Sequence, residues 1–257
     1  MTNNTKSDNW VSKKMLIINS IFIFAAFCLS FLFLINIYIG IIFVVFTLFF
    51  TLFLIYFLYA RYQFSPNGKD IQNKIYNLVL DYINFNGKGS IIDIGCGNAS
   101  FLIKLAKKYP DAELTGIDYW EGMWDYTKEK CENNIKNAGI KNKTVFIKGS
   151  AADLPFKNSS FDLAVSNFVF HEVKDKKNKT DIIKEALRVV KKGGRFVFHD
   201  LFLLKSIYGN IDNLIKELKS SGIKEAEFIK TSNSPFIPKL LKLPFMTGRI
   251  GIIKGIK

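Results

Sequence analysis

The sequence predicts an α/β domain of alternating strands and helices, preceded by two transmembrane helices. Three observations carry that reading. From Met15 to Ala60 the chain runs 46 residues without a charge, eleven of them Phe. From Ser90 onward, short apolar and β-branched runs alternate with amphipathic helical patterns. And Asp93-Ile94-Gly95-Cys96-Gly97 closes a buried strand with two glycines, just before a helix whose apolar face is Phe101, Leu102, Leu105 and Ala106.

Residues 1–14 read as a polar N-terminal segment. A single span needs about 20 residues to cross a hydrocarbon core roughly 30 Å thick. The apolar run therefore holds two, near 15–36 and 41–60, joined by Asn36-Ile37-Tyr38-Ile39-Gly40. Lys13 and Lys14 precede the first span, Arg61 and Lys69 follow the second, and the connection carries no charge. Positive flanks on both outer ends place residues 1–14 and the rest of the chain in the cytoplasm, making 15–60 a two-span hairpin. A secretory signal is the poorer reading, because the run is too long and lacks a small-x-small cleavage site. One long kinked span is the alternative, and it would move the following domain outside.

In residues 61–257 the strands fall in order at Ile91–Ile94, Glu113–Ile117, Thr144–Lys148, Phe161–Asn167 and Gly194–Asp200, with a helical pattern from Asp181 to Val190. Glycines after the first strand allow a sharp turn and a close ligand. Asp93 selects which ligand. A dinucleotide would place its pyrophosphate at this helix N-terminus, where a carboxylate repels it. S-adenosylmethionine (SAM) has no phosphate and carries an ammonium that a carboxylate helps to hold. The third glycine of the dinucleotide fingerprint would also fall on Ser100. Asp118 ends the second strand, 25 residues after Asp93, where two carboxylate oxygens can accept from both ribose hydroxyls.

Residues 61–257 resemble a class I SAM-dependent methyltransferase. The resemblance rests on Asp93 to Gly97, Asp118, Gly149 to Phe156 with Ser160-Phe161-Asp162, and Leu187 to Gly194, four motifs in the right order. It implies a Rossmann-like seven-stranded sheet with helices on both faces and SAM across the carboxyl ends of the first strands. It also implies a closing antiparallel hairpin, which Ala226–Lys230 and Arg249–Ile253 would form. The cofactor-binding residues implied are Asp93, Gly95, Gly97 and Asp118, with Tyr119 as an adenine-side wall. Ser150 and the amide of Ala151 stand where family members place an adenine-facing Asp and Ala; Asp153 is an alternative. Asn167, after the fourth strand, lines the methionine end. The chain departs from the family at Ala99, where a third glycine is common, and at Ser150, whose hydroxyl is shorter and uncharged.

Methyl transfer from a sulfonium chiefly requires alignment and exclusion of water. A base is needed only where the acceptor must lose a proton. His171 and His199 are the two histidines of the chain, both placed at the carboxyl edge of the sheet. His171 is the preferred base, with helix capping as its structural alternative. No recognised metal-ligand spacing is present and no metal is expected. Trp120, Trp124 and Tyr126 read as residues of the next helix, with Cys131 packing there. Three cysteines suggest no disulfide framework. The balance of 36 Lys+Arg against 22 Asp+Glu, +14, suits attraction to anionic headgroups. No arginine-rich or aromatic-interleaved stripe supports nucleic acid as a partner. These features predict a membrane-anchored methyltransferase acting on a small-molecule or lipid-like acceptor. A tethered, non-catalytic SAM-binding sensor or scaffold is the runner-up, and a nicotinamide enzyme a distant third.

Overall fold

The computed structural model describes residues 9–121 and 124–257. They fall into two compact units, 9–73 with 121, 124 and 125, and 74–120 with 126–257. Residues 1–8 of the expected N-terminal segment lie outside the described residues.

In the first unit, Ser12 caps α1 (Lys13–Ser30) by accepting from the Lys14 amide at 3.1 Å. A short 3₁₀ turn, Phe31–Leu34, ends it. Asn36 then caps α2 (Ile37–Phe64), accepting from the amides of Tyr38 at 2.9 Å and Ile39 at 3.3 Å. That cap makes the connection tighter than Asn36–Gly40, because Gly40 already lies inside α2, where a Cβ would run into Phe33. The second helix also outruns Ala60, since Arg61-Tyr62-Gln63-Phe64 contains no breaker, and the Arg61 guanidinium donates to the Val11 carbonyl. Across the pair, the Asn19 amide donates to the Phe50 carbonyl at 3.0 Å, and Phe22 stacks on Phe50 with centroids 5.6 Å apart. Both helical stretches, Lys13–Leu34 and Ile37–Phe64, are long and apolar enough to cross a membrane. Their large side chains point outward rather than into a core.

The second unit takes in most of α3 (Ile71–Asp81), which the strand pattern did not announce, although Ile71, Ile75 and Val79 mark one apolar face. β1 (Gly89–Ile94), α4 (Ser100–Lys108), β2 (Ala112–Asp118), α5 (Lys128–Asn137), β3 (Thr144–Lys148), β4 (Phe161–Asn167), α6 (Lys179–Arg188), β5 (Val190–Asp200), α7 (Lys205–Tyr208), α8 (Ile211–Ser220), β6 (Glu225–Lys230) and β7 (Gly251–Ile256) follow. The strands form one seven-stranded sheet in the order β3-β2-β1-β4-β5-β7-β6. The first five are parallel, and β7 runs antiparallel to both neighbours.

The central strands carry continuous apolar runs because both faces are covered. Ile92, Ile94, Ala164, Phe196 and Phe198 pack with Ile182, Ile183 and Leu187 of α6 and Leu214 and Leu218 of α8. The alternating residues Ile91, Leu163, Val165 and Val197 are buried on the opposite face.

Some boundaries differ from expectation. The helix expected over Asp181–Val190 stops at Arg188, because the Val189 carbonyl is taken by the amides of Ser160 and Phe161. β5 accordingly starts at Val190, four residues before Gly194, and its start is held by Gly193 donating to the Lys257 carbonyl at 2.7 Å. β7 starts at Gly251 rather than Arg249, whose carbonyl instead accepts from Leu203 at 3.0 Å.

At the amino edge, Asp162 ties three strands together. Its Oδ2 accepts from the Ser90 amide at 2.8 Å, the Ser90 hydroxyl at 2.9 Å and Lys191 Nζ at 2.8 Å. Burial would raise its pKa, but the bonds from Lys191 and Ser90 outweigh burial and hold the carboxyl below its ordinary value. Asp162→Ala should therefore cost about 1–3 kcal/mol, read as a lower apparent melting temperature of the detergent-solubilised protein. Because the folded value is the depressed one, this stabilisation is complete above the unfolded value of about 3.9. It fades as pH falls through the folded value, so the gap between Asp162→Ala and the unchanged protein should narrow only in strong acid.

Candidate functional site

β1 lies between β2 and β4, which the chain reaches in opposite directions, and ligands of open α/β sheets bind outside the carboxyl ends at such a point. The Ile117 carbonyl accepts from the amides of both Gly95, at 2.7 Å, and Cys96, at 3.1 Å, folding the chain back after β1. Gly95 has φ +77° and Gly97 φ +56°. A Cβ on Gly95 would collide with the Val169 side chain, so the turn needs glycine on two counts. Ala99, at φ +66°, holds a left-handed conformation directly before α4, and Asn98 Oδ1 accepts from the Ser100 amide at 3.1 Å to satisfy one of the free donors there.

Asp118 holds this loop from the side. Its Oδ2 accepts from the Gly97 amide and its Oδ1 from the Trp120 amide, both at 2.8 Å. Each oxygen keeps a further lone pair for a ligand hydroxyl. Burial raises the Asp118 pKa despite these backbone bonds. Asp93 is buried outright, and its Oδ2 has no hydrogen-bond partner. Burial, with Asp118 beside it, pushes Asp93 up to about 8. An orphaned buried carboxylate oxygen under two glycines fits a cationic ligand group and disfavours a pyrophosphate.

Three residues brace the loop beyond what its sequence announced. Trp120 Nε1 donates to the Gly97 carbonyl at 2.9 Å, Cys131 Sγ to the same oxygen at 3.0 Å, and Asn134 Nδ2 to the Asn98 carbonyl at 2.9 Å. Trp120 and Tyr126 precede α5 instead of lying on it, because Thr127 caps the helix at Lys128; Trp124 precedes it too and donates from its indole to the Trp10 carbonyl at 3.1 Å. Tyr119 is half exposed, with Lys148 Nζ 5.6 Å from its ring centre. Ser150 begins the loop after β3. Its hydroxyl donates to Asp175 Oδ2 at 2.5 Å and accepts from the Ala152 amide at 3.2 Å; Ala151 beside it is buried. Glu185 and Arg188 clamp that loop further on, through the Leu154 amide at 2.8 Å and the carbonyls of Leu154, at 2.9 Å, and Phe156, at 2.8 Å.

The two histidines have opposite environments. His199 is buried, with Nδ1 2.8 Å from Asn167 Oδ1 and Nε2 3.2 Å from the Thr231 hydroxyl. Asn167 Oδ1 can only accept, so Nδ1 carries the proton and Nε2 accepts from Thr231. Burial lowers the His199 pKa to about 4, leaving it neutral and enclosed. The Asn167 side chain is thus committed to His199.

His171 lies in the loop after β4. Its Nδ1 is 2.6 Å from Asp200 Oδ1, and its Nε2 is 3.7 Å from Glu172 Oε1. Burial alone would lower its pKa, but Asp200 and then Glu172 outweigh burial and raise it. Asp200, at the end of β5, also accepts from the amides of Leu201 at 2.6 Å, Val169 at 3.2 Å and His171 at 3.4 Å. Burial would raise the Asp200 pKa; His171 and these amides lower it and keep it a carboxylate. The acid at the end of the fifth strand was visible in the sequence, but its partnership with His171 depends on β4 and β5 being neighbours. Among the described residues no group of His, Cys, Asp and Glu side chains is arranged to hold a metal ion.

A mixed seven-stranded sheet with β7 inserted antiparallel, a glycine turn after β1 and an acid ending β2 define the class I methyltransferase fold. Residues 92–198, under half of the chain, match the family model described as a methyltransferase domain. It is similar to the demethylmenaquinone methyltransferase of Listeria welshimeri, 32% identical over 112 residues, which are 43% of this chain and 44% of that protein. It is also similar to the demethylmenaquinone methyltransferase of Bacillus cytotoxicus, 29% identical over 157 residues, 56% of this chain and 62% of that protein. The chain thus spans about half the length of these curated relatives. Among solved structures, phosphoethanolamine N-methyltransferase 2 of Haemonchus contortus, in complex with SAM, superposes with a TM-score of 0.56. It is 13% identical, over 76% of this chain and 56% of that one, a likeness of fold.

Gly95→Ala should abolish saturable SAM binding in calorimetry and also lower stability. The positive φ alone costs about 1–2 kcal/mol, and the Val169 collision adds to it.

Proposed function

We propose that this protein is a membrane-anchored SAM-dependent methyltransferase acting on a small, lipid-like acceptor, with His171 as general base. The observation that carries the reading is the His171–Asp200 pair at the same carboxyl edge as the Asp93, Gly95, Gly97 and Asp118 cradle. When bound, SAM supplies a sulfonium-activated methyl group. Asp93 would meet its ammonium, Asp118 its ribose hydroxyls, and Tyr119 with Ser150 and Ala151 would border the adenine. Asn167, tied to His199, closes the methionine end as a positioning residue.

His171 Nδ1–H donates to Asp200, which leaves the Nε2 lone pair free to take a proton from the acceptor as the new bond to methyl forms. Asp200 fixes that tautomer and stabilises the imidazolium that results. The similarity to enzymes named demethylmenaquinone methyltransferases supports a quinone-like acceptor. Such a molecule partitions into bilayers, consistent with α1 and α2 as a two-span anchor. Lys13, Lys14 and Arg61 on their outer flanks favour a cytoplasmic domain.

The test is methyl transfer from labelled SAM to demethylated quinols by the full chain in nanodiscs. Transfer supports the reading; SAM binding with no transfer to any lipid-soluble acceptor favours the tethered sensor. His171→Gln should lower kcat by about 10²–10⁴-fold while leaving the SAM Kd unchanged. Only neutral His171 accepts a proton, so kcat should rise with pH through a midpoint above the ordinary histidine value. Asp200→Asn should lower both kcat and that midpoint, because burial is then opposed by Glu172 alone.

Asp93 gives a second pH-dependent signature. With its pKa pushed up to about 8, it is largely protonated at neutral pH before the ammonium arrives. Binding of SAM should therefore release a proton, making the calorimetric heat differ between phosphate and Tris buffers. Affinity should increase with pH up to that value, and Asp93→Asn should remove the buffer dependence.

A further inference from the structure

We infer that the β6–β7 connection is a preformed docking tip for an anionic bilayer surface. Among the described residues of 74–257, large apolar side chains that are exposed are few: Tyr119, Val145, Leu240, Leu243 and Phe245. Three of them fall within six residues, with exposures of 61%, 37% and 56%. Exposed Lys239, half-buried Lys242 and exposed Arg249 lie among or beside them. From Phe228 to Lys257 the chain has six Lys and Arg and no acidic residue. Apolar side chains ringed by cations, with no carboxylate near in sequence, complement acyl chains beneath anionic headgroups.

The tip is ordered by its own backbone. Leu241 and Ile237 are buried as anchors, and the Leu241 carbonyl accepts from Thr247 twice, from its hydroxyl at 2.6 Å and its amide at 3.0 Å. The Leu243 carbonyl accepts from Met246 and Gly248, both at 3.0 Å. A Cβ on Gly248 would strike the Lys242 carbonyl oxygen, so the return of the loop requires glycine. Little ordering entropy is therefore left to lose on contact.

The tip's position gives it a use. Gly251, where β7 begins, pairs with Asp200 and with Lys230, the last residue of β6. The connection thus emerges at the carboxyl edge of the sheet, the edge that carries His171 and Asp200. A bilayer held by the tip would put lipid-dissolved molecules beside that edge. The inference goes beyond the proposed activity, since contact with the bilayer requires neither SAM nor methyl transfer.

The experiment places the full chain in nanodiscs of phosphatidylcholine, with or without phosphatidylglycerol, whose acyl chains are brominated or plain. Emission added by Phe245→Trp is read against the unchanged protein. In mixed brominated discs most of the added emission should be lost. Lys239→Glu with Lys242→Glu should restore it, and so should removal of phosphatidylglycerol. Val145→Trp, on the opposite edge strand β3, should keep its emission. If Phe245→Trp lowers the melting temperature, Leu240→Trp serves instead. Equal emission in brominated and plain discs would overturn the inference, as would quenching of Val145→Trp to the same degree. Quenching indifferent to lipid charge and to the two Lys→Glu changes would overturn recognition of an anionic surface.

Discussion

The chain's return from β3, past β1, to the other half of the sheet is the constraint on which the site depends. β2 and β3 are added on one side of β1, then β4 and β5 on the other. The loops after β1 and β4 consequently diverge, opening a crevice with no loop crossing it. Into that gap the Ile117 carbonyl folds Gly95 and Cys96, while Asp118 ties Gly97. The cradle is thus made of backbone, held by the neighbouring strand and by the indole, thiol and amide of Trp120, Cys131 and Asn134. Val169, from the loop after β4, fills the space that Gly95 leaves empty, so the two loops pack against each other there.

Buried charge is handled in two contrasting ways along this edge. Asp200 is surrounded by three backbone donors and an imidazole, and it stays ionised at no cost in unmet hydrogen bonds. Asp93 has an oxygen with no partner at all and relieves its position by taking up a proton. A carboxylate with a full complement of donors serves to orient its neighbour. One without them is pushed by burial toward its protonated form. The same distinction separates the histidines: His199 is saturated between Asn167 and Thr231, whereas His171 presents one nitrogen to Asp200 and retains the other.

Much of this was readable from residue order alone. β3 and β4 have the expected limits, and β1 and β2 lie within two residues of them, because apolar runs in a sheet covered on both faces are bounded sharply by Gly, Asp and Lys. The helix before β1 went unread because Ile71, Ile75 and Val79 follow a stretch that looks like a joint. The start of β5 was misplaced because Lys191-Lys192-Gly193 has no apolar alternation; those residues join the sheet through pairing with the end of the chain. Within the site, Asp93, Gly95, Gly97 and Asp118 were visible because each is adjacent to a strand end. Their supports were not. Asn134 contacts Asn98 across 36 residues and Asp200 contacts His171 across 29, and no local pattern encodes such a pairing. Ser150 was visible as a departure, but its bond to Asp175 again depends on loops brought together by the fold.

In the first unit, the Asn19 side chain donates to the Phe50 carbonyl midway along the helix pair. Were the pair to span a bilayer as proposed above, the surrounding hydrocarbon would offer that amide no acceptor, so the bond would do more than add contact energy. It would make one alignment of the two helices cheaper than any slid by a turn, since sliding would strand the amide opposite an alkyl chain. The hairpin is thereby keyed. Its helices would integrate as a matched couple whose relative height in the bilayer is set by a single polar group rather than by the short turn that joins them.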